Sequence, residues 1–198
     1  MLDRKELRRQ LVHTATVFIP LLYLYFPDIG PLSGRQWTMI LFLVFGGLFV
    51  FADYFRRKNE TLRRLFMKIT APLIRDIEND KMTGASTIAI SFFLILLIFP
   101  PRIAIPSCML LSIADSASGI VGRWIGKHTW YKHYTVEGTA AFIAAGLLLF
   151  LIGFPYIAAW KAVLVVIICA YFEALLEQLN DNIVIPAAAA AMLLMLEV

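Results

Sequence analysis

The sequence is poor in charge and in cysteine. Charged residues make up 16% of the 198 residues, hydrophobic residues make up 60%, and the mean hydropathy is +0.76. Soluble globular domains carry about 25% charged residues, so this composition excludes an ordinary soluble domain. The two cysteines, Cys108 and Cys169, lie in apolar runs, and no His or Cys pair has the spacing of a zinc site. We therefore expect two free thiols in the protein core.

The common motifs of soluble nucleotide-binding proteins and hydrolases are also missing. The run from Gly122 to Lys127 is similar to a phosphate-binding loop, but it is one residue too short, and His128 stands where that loop has Ser or Thr. The sequence has no kinase glycine-rich loop and no nucleophile elbow. The net charge of +4 does not indicate nucleic acid, because the basic residues follow the alternation of the loops. We expect no nucleic-acid partner.

Long apolar runs dominate what is present. A helix needs about 20 mostly apolar residues to cross a hydrocarbon core of about 30 Å. The sequence predicts an all-α fold, a polytopic integral membrane helical bundle of about seven transmembrane helices in a single transmembrane catalytic domain, residues 1–198. The predicted spans are 11–27, 37–53, 83–99, 103–122, 138–154, 157–176 and 183–197.

The basic residues predict the orientation of these spans. They concentrate before the first span, between the second and third spans, and in the loop that follows Gly122. The exceptions are Arg35, Arg102 and Lys161. Because cytoplasmic loops carry the excess of Lys and Arg, we expect a cytoplasmic N-terminus. Seven spans then place the C-terminus outside.

A polar stretch separates the second and third spans. Apolar residues recur at helical spacing between positions 62 and 73 with basic residues between them, which predicts an amphipathic helix on the inner leaflet. We assign this cytoplasmic interfacial segment to about residues 54–82. Thr83 or Ser86 can cap the third span, and the amides of that helix start, beside Lys81, would form a phosphate seat. Capping alone explains the same residues.

Asp115 lies inside an apolar run. A carboxylate at membrane depth is costly unless it is paired, binds an ion or faces a polar cavity. In a helix, Asp115, Gly119, Gly122 and Gly126 share one face, which could admit a ligand or another backbone. A stripe of small residues for helix packing explains the glycines equally well. It gives no reason for Asp115.

Further acids lie near the predicted inner boundary. Glu137 precedes the fifth span, where the helix dipole also favours an acid. Glu173, Glu177 and Asp181 repeat at helical spacing, so we expect them to project from one face. A divalent cation would relieve their repulsion, and hard oxygen ligands suit Mg²⁺. Because polar groups collect at one surface, an enzyme acting on a lipid headgroup is favoured over a transporter.

These motifs together resemble the CTP-dependent lipid kinases, a family that includes dolichol kinase, phytol kinase and the CTP-using diacylglycerol kinase. The matching stretches are Asp115 to Lys127, Glu137-Gly138-Thr139, Asn180-Asp181-Asn182, and the spacing of Arg9, Gln10 and His13. The resemblance implies transfer of the γ-phosphate of CTP, with Mg²⁺ or another divalent cation, to the hydroxyl of a lipid alcohol at the cytoplasmic membrane face. A polyprenol, a phytol-like alcohol and diacylglycerol are all candidate acceptors. The departures are Gln10 and Tyr134, where the family usually has Lys, and Ser118, where it usually has Ala.

Residue roles follow from the resemblance together with the chemistry of the side chains. The expected catalytic residues are Asp115, Glu137, Asp181, Arg9 and His13. The expected nucleotide-binding residues are Gly84, Ser118, Gly119, Gly122, Arg123, Gly126, Lys127 and Asn182. The expected metal ligands are Asp115, Asp181 and Glu177. The alternative functions are a CTP:phosphatidate cytidylyltransferase, whose usual motifs are not visible, and a small membrane transporter. The sequence leaves the oligomeric state open.

Overall fold

The computed structural model describes residues 4–71, 81–176 and 179–198, and this part of the chain is mostly helical. The helices are α1 (Arg4–Ala15), α2 (Phe18–Tyr25), α3 (Gly34–Arg56), α4 (Glu60–Thr70), α5 (Gly84–Ile98), α6 (Pro101–Leu110), α7 (Ser116–Trp124), α8 (Val136–Leu148), α9 (Ala159–Leu175) and α10 (Asp181–Met195). Wide π-helical turns, Leu111–Asp115 and Leu149–Gly153, follow α6 and α8. A short antiparallel hairpin, β1 (Thr129–Tyr131) and β2 (Tyr134–Thr135), joins α7 to α8. The predicted all-α class is confirmed apart from this hairpin.

Three helical stretches within the described ranges are long and apolar enough to cross a membrane by length and composition. They are Gly34–Arg56, Pro101–Trp124 and Val136–Gly153. The apolar helices α5 and α10 are shorter. Helices occupy the predicted spans, and the first of these is divided between α1 and α2. A bundle of seven spans and the orientation of the termini stay predictions.

The stretch Pro101–Trp124 is the central element of the fold. Buried residues make up 72% of its apolar window, compared with 11% for Gly34–Arg56. The core around it includes Phe92, Phe142 and Phe150, each fully buried. Both cysteines are buried in this core as free thiols, as predicted. Asp115 therefore belongs to the most enclosed helix of the three and does not lie on a lipid-facing surface.

The predicted amphipathic helix is present as α4. Its Phe66 is buried against the guanidinium of Arg56, whose central carbon lies 5.2 Å from the ring centroid. Leu65 and Ile69 are 60% and 74% exposed. One row of α4 therefore packs on the protein while another offers apolar surface. Residues 72–80 of the predicted interfacial segment lie outside the described residues.

The start of α5 is held by a buried carboxylate. Thr83 caps the helix by accepting a hydrogen bond from the Ser86 amide, as predicted. Asp53 accepts hydrogen bonds from the Thr83 amide at 2.8 Å, the Ser86 hydroxyl at 2.5 Å and Arg56 Nε at 2.6 Å. The anion at this helix start is thus a side chain of the protein itself. It occupies the position for which the sequence suggested a phosphate.

The acids at the end of α9 do not share one helix. The prediction that Glu173, Glu177 and Asp181 project from a single helical face is wrong, because α9 ends at Leu175 and α10 begins at Asp181. Glu177 lies outside the described residues. Helical spacing does not carry from the end of one helix to the start of the next.

Candidate active site

Three pairs of residues join α1 to the stretch that follows α6. They are His13 with Asp115, Gln10 with Gly119, and Glu6 with Arg123. The members on α1 are spaced i, i+4 and i+7, which places them on one face of that helix. Their partners follow in the reverse order along the chain. The two helices therefore run antiparallel, and their contact line brings cations and acids together.

Glu6 collects three donors on this line. Arg9 Nη2 donates to Glu6 Oε1 at 2.6 Å, and Gln10 Nε2 donates to the same oxygen at 3.2 Å. Arg123 also donates to it from α7. Burial lowers the pKa of Arg9, but its hydrogen bonds to Glu6 and the charges of Glu6, Asp115 and Asp181 raise it above the ordinary value. Arg9, expected to be catalytic, and Arg123, expected to bind the nucleotide, are thus brought together at one carboxylate.

Asp115 lies at the end of the π-helical turn and is only 8% exposed. Its Oδ2 is 3.3 Å from His13 Nε2. On the α9 side, the Ser118 hydroxyl donates to Glu173 Oε1 at 2.7 Å, and the charges of Asp115 and Asp181 act on Glu173. Wide turns of this type occur frequently at functional sites. Here the turn places a buried acid between α1 and α9.

Buried polar atoms without a hydrogen-bond partner are concentrated around Asp115. In the described part of the chain they are Gln10 Oε1, His13 Nε2 and Ser116 Oγ. His13 Nε2 is included because its approach to Asp115 does not have the geometry of a hydrogen bond. Leaving a buried polar atom unpaired costs about 1–3 kcal/mol, and such atoms call for a ligand, an ion or ordered water. Their clustering is typical of a binding site.

The acids of this site fit a metal ion that binds together with a phosphate ligand better than a metal ion held by protein side chains alone. Within residues 4–71, 81–176 and 179–198, no group of three His, Cys, Asp or Glu side chains could hold a metal ion. Mg²⁺ commonly uses one or two carboxylates together with substrate phosphates and water. Asp115 and Asp181 are carboxylates of this kind. Their donor chemistry fits Mg²⁺ bound to a nucleotide.

The remaining predicted residues of the loop lie at the hairpin. Gly122 approaches Gly138 and Thr135 at the start of α8, and Gly126 packs against Thr135 as well. The Glu137 carboxylate bonds to His128 Nδ1 at 2.7 Å and accepts from the backbone amide of His128. Lys127 is exposed. These glycines therefore bring two helices together, and Glu137 fastens the loop that precedes the hairpin.

Replacing Gly122 with Leu is expected to destabilise the contact between α7 and α8. A Cβ at this position would lie 3.2 Å from Thr135 Oγ1 and 3.5 Å from Gly138 Cα, so a larger side chain must push the helices apart. Overpacking of this kind costs about 1–3 kcal/mol. The midpoint of thermal unfolding in detergent measures the effect. The matched control is Gly47→Leu, because a Cβ on Gly47 meets no atom within 4 Å. If Gly122→Leu unfolds like the control but loses nucleotide affinity, the glycine serves the ligand and not helix packing.

A cavity of about 220 Å³ adjoins the cluster. Gly84 at the start of α5 lines it, and Asn182 reaches across from α10 to donate to the Gly84 carbonyl at 3.4 Å and to the Thr87 hydroxyl at 3.1 Å. The other lining residues are Arg9, Val12, His13, Thr16, Ile19, Phe49, Thr70, Thr83, Ala85, Ile88 and Ala89. Polar groups at one end of an apolar space are typical of a site for an amphiphilic ligand.

Sequence reasoning missed two residues of the cluster. Glu6 was overlooked, although Glu6, Arg9, Gln10 and His13 have the spacing of one helical face. Glu173 was noticed as one of a row of acids but was not assigned to the site. Its partner Ser118 lies 55 positions earlier in the chain. Only the folded arrangement of α7 and α9 reveals that pair.

Comparison with known proteins adds two relatives. The chain is 30% identical over 158 residues to CTP-dependent diacylglycerol kinase 1 of Schizosaccharomyces pombe, and the alignment covers 71% of this chain and 72% of that kinase. It is 24% identical over 190 residues to an uncharacterized protein of Rickettsia prowazekii, with 91% of this chain and 89% of the relative covered. No protein-family model matches the chain, and no solved structure matches it.

The apolar helices and the polar cluster at Asp115 define a helical membrane protein with a buried site that combines acids and cations. The likeness to the yeast enzyme then identifies the family. The chain belongs to the CTP-dependent lipid kinases, in agreement with the resemblance seen in its motifs.

Proposed function

We propose that the chain is a phosphotransferase that moves the γ-phosphate of CTP to the hydroxyl of a lipid alcohol. One observation carries this proposal: the cations Arg9 and Arg123 and the buried Asp115 lie together beside a mostly apolar cavity. Phosphoryl transfer needs positive charge around the phosphates and a carboxylate near the reacting groups. The whole chain, residues 1–198, forms one transmembrane catalytic domain. Its N-terminus and active site face the cytoplasm, and its C-terminus lies outside.

The triphosphate binds at the guanidinium groups that Glu6 holds together. Glu6 offers them a carboxylate, and a phosphate oxygen makes the same kind of charge-assisted hydrogen bond. Binding of the nucleotide exchanges one anion for another and leaves Arg9 and Arg123 in place. Lys127 is exposed nearby in the chain and adds a further cation from the loop after α7. Gly119, beside Gln10, and Ser118 belong to the same helix. Gly84 and Asn182, which were also expected from the sequence to bind the nucleotide, line the neighbouring cavity instead.

Transfer takes place at the His13–Asp115 pair. The acceptor oxygen forms a bond to the γ-phosphorus, the bond from that phosphorus to the bridging oxygen breaks, and CDP leaves with the electron pair. The proton of the acceptor hydroxyl passes to the pair, where His13 Nε2 is unpartnered and 3.3 Å from the carboxylate. Asp115 and Asp181 would hold Mg²⁺, together with Glu177, which lies outside the described residues, and the bound ion would offset the phosphate charge. Glu137 supports the site from the loop.

The test is direct. The purified protein is incubated with γ-labelled CTP, UTP or ATP, with Mg²⁺ or with EDTA, and with diacylglycerol, dolichol, undecaprenol, farnesol or phytol. We expect label from CTP in one lipid product, one CDP released per lipid phosphorylated, and no transfer in EDTA. Release of pyrophosphate with phosphatidate as substrate would identify a cytidylyltransferase instead. Uptake of solute by proteoliposomes without nucleotide consumption would identify a transporter.

A further inference from the structure

The cavity beside the cluster has a polar end and an apolar wall. We refer to Arg9, His13 and Asn182 as its polar end; Thr16, Thr70 and Thr83 also contribute polar side chains to the lining. Val12 and Ile88 belong to the apolar wall, on α1 and α5. Apart from Asn182 on α10, the lining residues come from helices α1 to α5, from the turn between α1 and α2, and from Thr83, which caps α5. The cavity therefore lies on the α5 side of α1, whereas the bond between Glu6 and Arg123 lies on the α7 side. Arg9 and His13 border both.

We propose that this cavity binds the reacting end of the acceptor, a lipid alcohol, with its hydroxyl at His13 and its first tail carbons between Val12, Phe49 and Ile88. The proposal rests on the function proposed above and adds a separate binding site for the lipid, the second substrate of that reaction. The nucleotide lies on the α7 side of α1, and the lipid lies on the α5 side. His13 reaches both, because it lines the cavity and also approaches Asp115.

The polar end is built for a group that both donates and accepts. His13 is 5% exposed, and its Nε2 has no hydrogen-bond partner among the described residues. A hydroxyl can donate to a neutral imidazole nitrogen and accept from a guanidinium. Asn182 Nδ2 donates to the Gly84 carbonyl and the Thr87 hydroxyl, so this nitrogen shapes the wall of the cavity. An alcohol therefore fits the groups that are present.

The size of the cavity limits what it holds. Pockets for drug-sized ligands measure about 300–1,000 Å³, and this cavity measures about 220 Å³. It accommodates the alcohol and the adjoining carbons but not a complete long-chain lipid. The rest of the tail lies outside. Leu11 and Ile69, the chain neighbours of the lining residues Val12 and Thr70, are 57% and 74% exposed and offer apolar surface to it. The site consequently recognises the shape of the lipid near its hydroxyl, and the length of the tail has little effect on binding.

Replacing Ala85 with Trp tests the assignment, because Ala85 lines the cavity yet is exposed, so a larger side chain can enter without disturbing the core. We expect the KM for the lipid alcohol to rise roughly tenfold or more, while the affinity for CTP, measured by equilibrium binding, stays unchanged. The matched control is Ala15→Trp, because Ala15 is exposed at the end of α1 and does not line the cavity. Equal KM values for the two variants would overturn the proposal.

A second measurement does not depend on turnover. Geranylgeraniol and dioleoylglycerol, each carrying a diazirine close to the hydroxyl end, are photolysed with the wild-type protein in detergent micelles. We expect cross-links in α1 and at the start of α5, and Ala85→Trp should abolish them. Cross-links confined to other helices would contradict the site even if the protein phosphorylates lipids. If neither alcohol is phosphorylated with any nucleotide but the cross-links map to the cavity, the proposed kinase activity fails and the lipid site stands.

Discussion

Asp115→Asn is expected to abolish phosphorylation of the lipid while the protein still inserts and folds. Asn has nearly the same shape as Asp but lacks the charge that a bound cation and His13 require. Removing one well-placed electrostatic group from an active site lowers kcat on the order of 10²- to 10³-fold. Because Asp115 is also proposed to receive the proton with His13, we expect the loss to reach at least this range. The measurement is the initial rate of label transfer from γ-labelled CTP.

The matched control for this variant is Asp28→Asn. Asp28 accepts a hydrogen bond from the Gly34 amide at 2.7 Å in the turn before α3, at the opposite end of that helix from Asp53. An amide oxygen can accept the same bond, so activity should be close to that of the wild type. Gel filtration in detergent checks that both variants are intact. An Asp115→Asn protein with a rate near that of the control would refute the role of this carboxylate.

Asp53→Ala is expected to lower the free energy of unfolding by about 3–5 kcal/mol, because it removes one member of a buried ion pair. Asp53 and Arg56 are 0% and 1% exposed. The substitution also takes away the acceptor for the Thr83 amide and the Ser86 hydroxyl. Since Thr83 lines the lipid cavity, the KM for the lipid should rise in the protein that remains folded. Denaturant unfolding in detergent micelles measures the stability.

Two further variants test whether the stability lost in Asp53→Ala comes from the buried charge that Arg56 retains without Asp53. Glu60→Ala removes an exposed acid at the start of α4 and should change stability by no more than about 0.5 kcal/mol. The double variant Asp53→Leu with Arg56→Met replaces both charges by apolar groups, and such replacements are often close to neutral. We expect it to recover much of the lost stability. If Asp53→Ala is as stable as Glu60→Ala, the network does not support the start of α5.

The helical fold was predictable because hydrophobic run length and capping residues are local signals. The spans around α3, α5 and α8 and the cap at Thr83 follow from residues close together in the chain. Asp115 was equally accessible, since a carboxylate within an apolar run has few structural explanations. The family could be inferred from the motifs for the same reason. They lie in short segments that can be compared without knowing the fold.

The arrangement of the site was not predictable because it depends on contacts between distant segments. The pairing of Glu6 with Arg123 joins residues 117 positions apart. Spacing within α1 indicates which residues share a face, but it does not say which helix that face meets. For the acids near the end of α9 the prediction made the opposite error. It treated residues on two different helices as one face, because it extended helical spacing across the break before Asp181. The cavity is lined by residues of six helices, and no single helix carries a sequence signal for it.

The π-helical turn Leu111–Asp115 sets the rotational phase of the helix that contains it. An α-helix advances about 100° per residue, and a single wide turn shifts every later side chain around the axis relative to those before it. The apolar first half, α6, and the polar second half, α7, therefore need not obey one common periodicity. Ser118, Gly119 and Arg123 can therefore face Glu173, Gln10 and Glu6 while the residues of α6 are buried in the core. Because of the turn, the site residues of α7 can point in a direction that differs from the one required to bury α6.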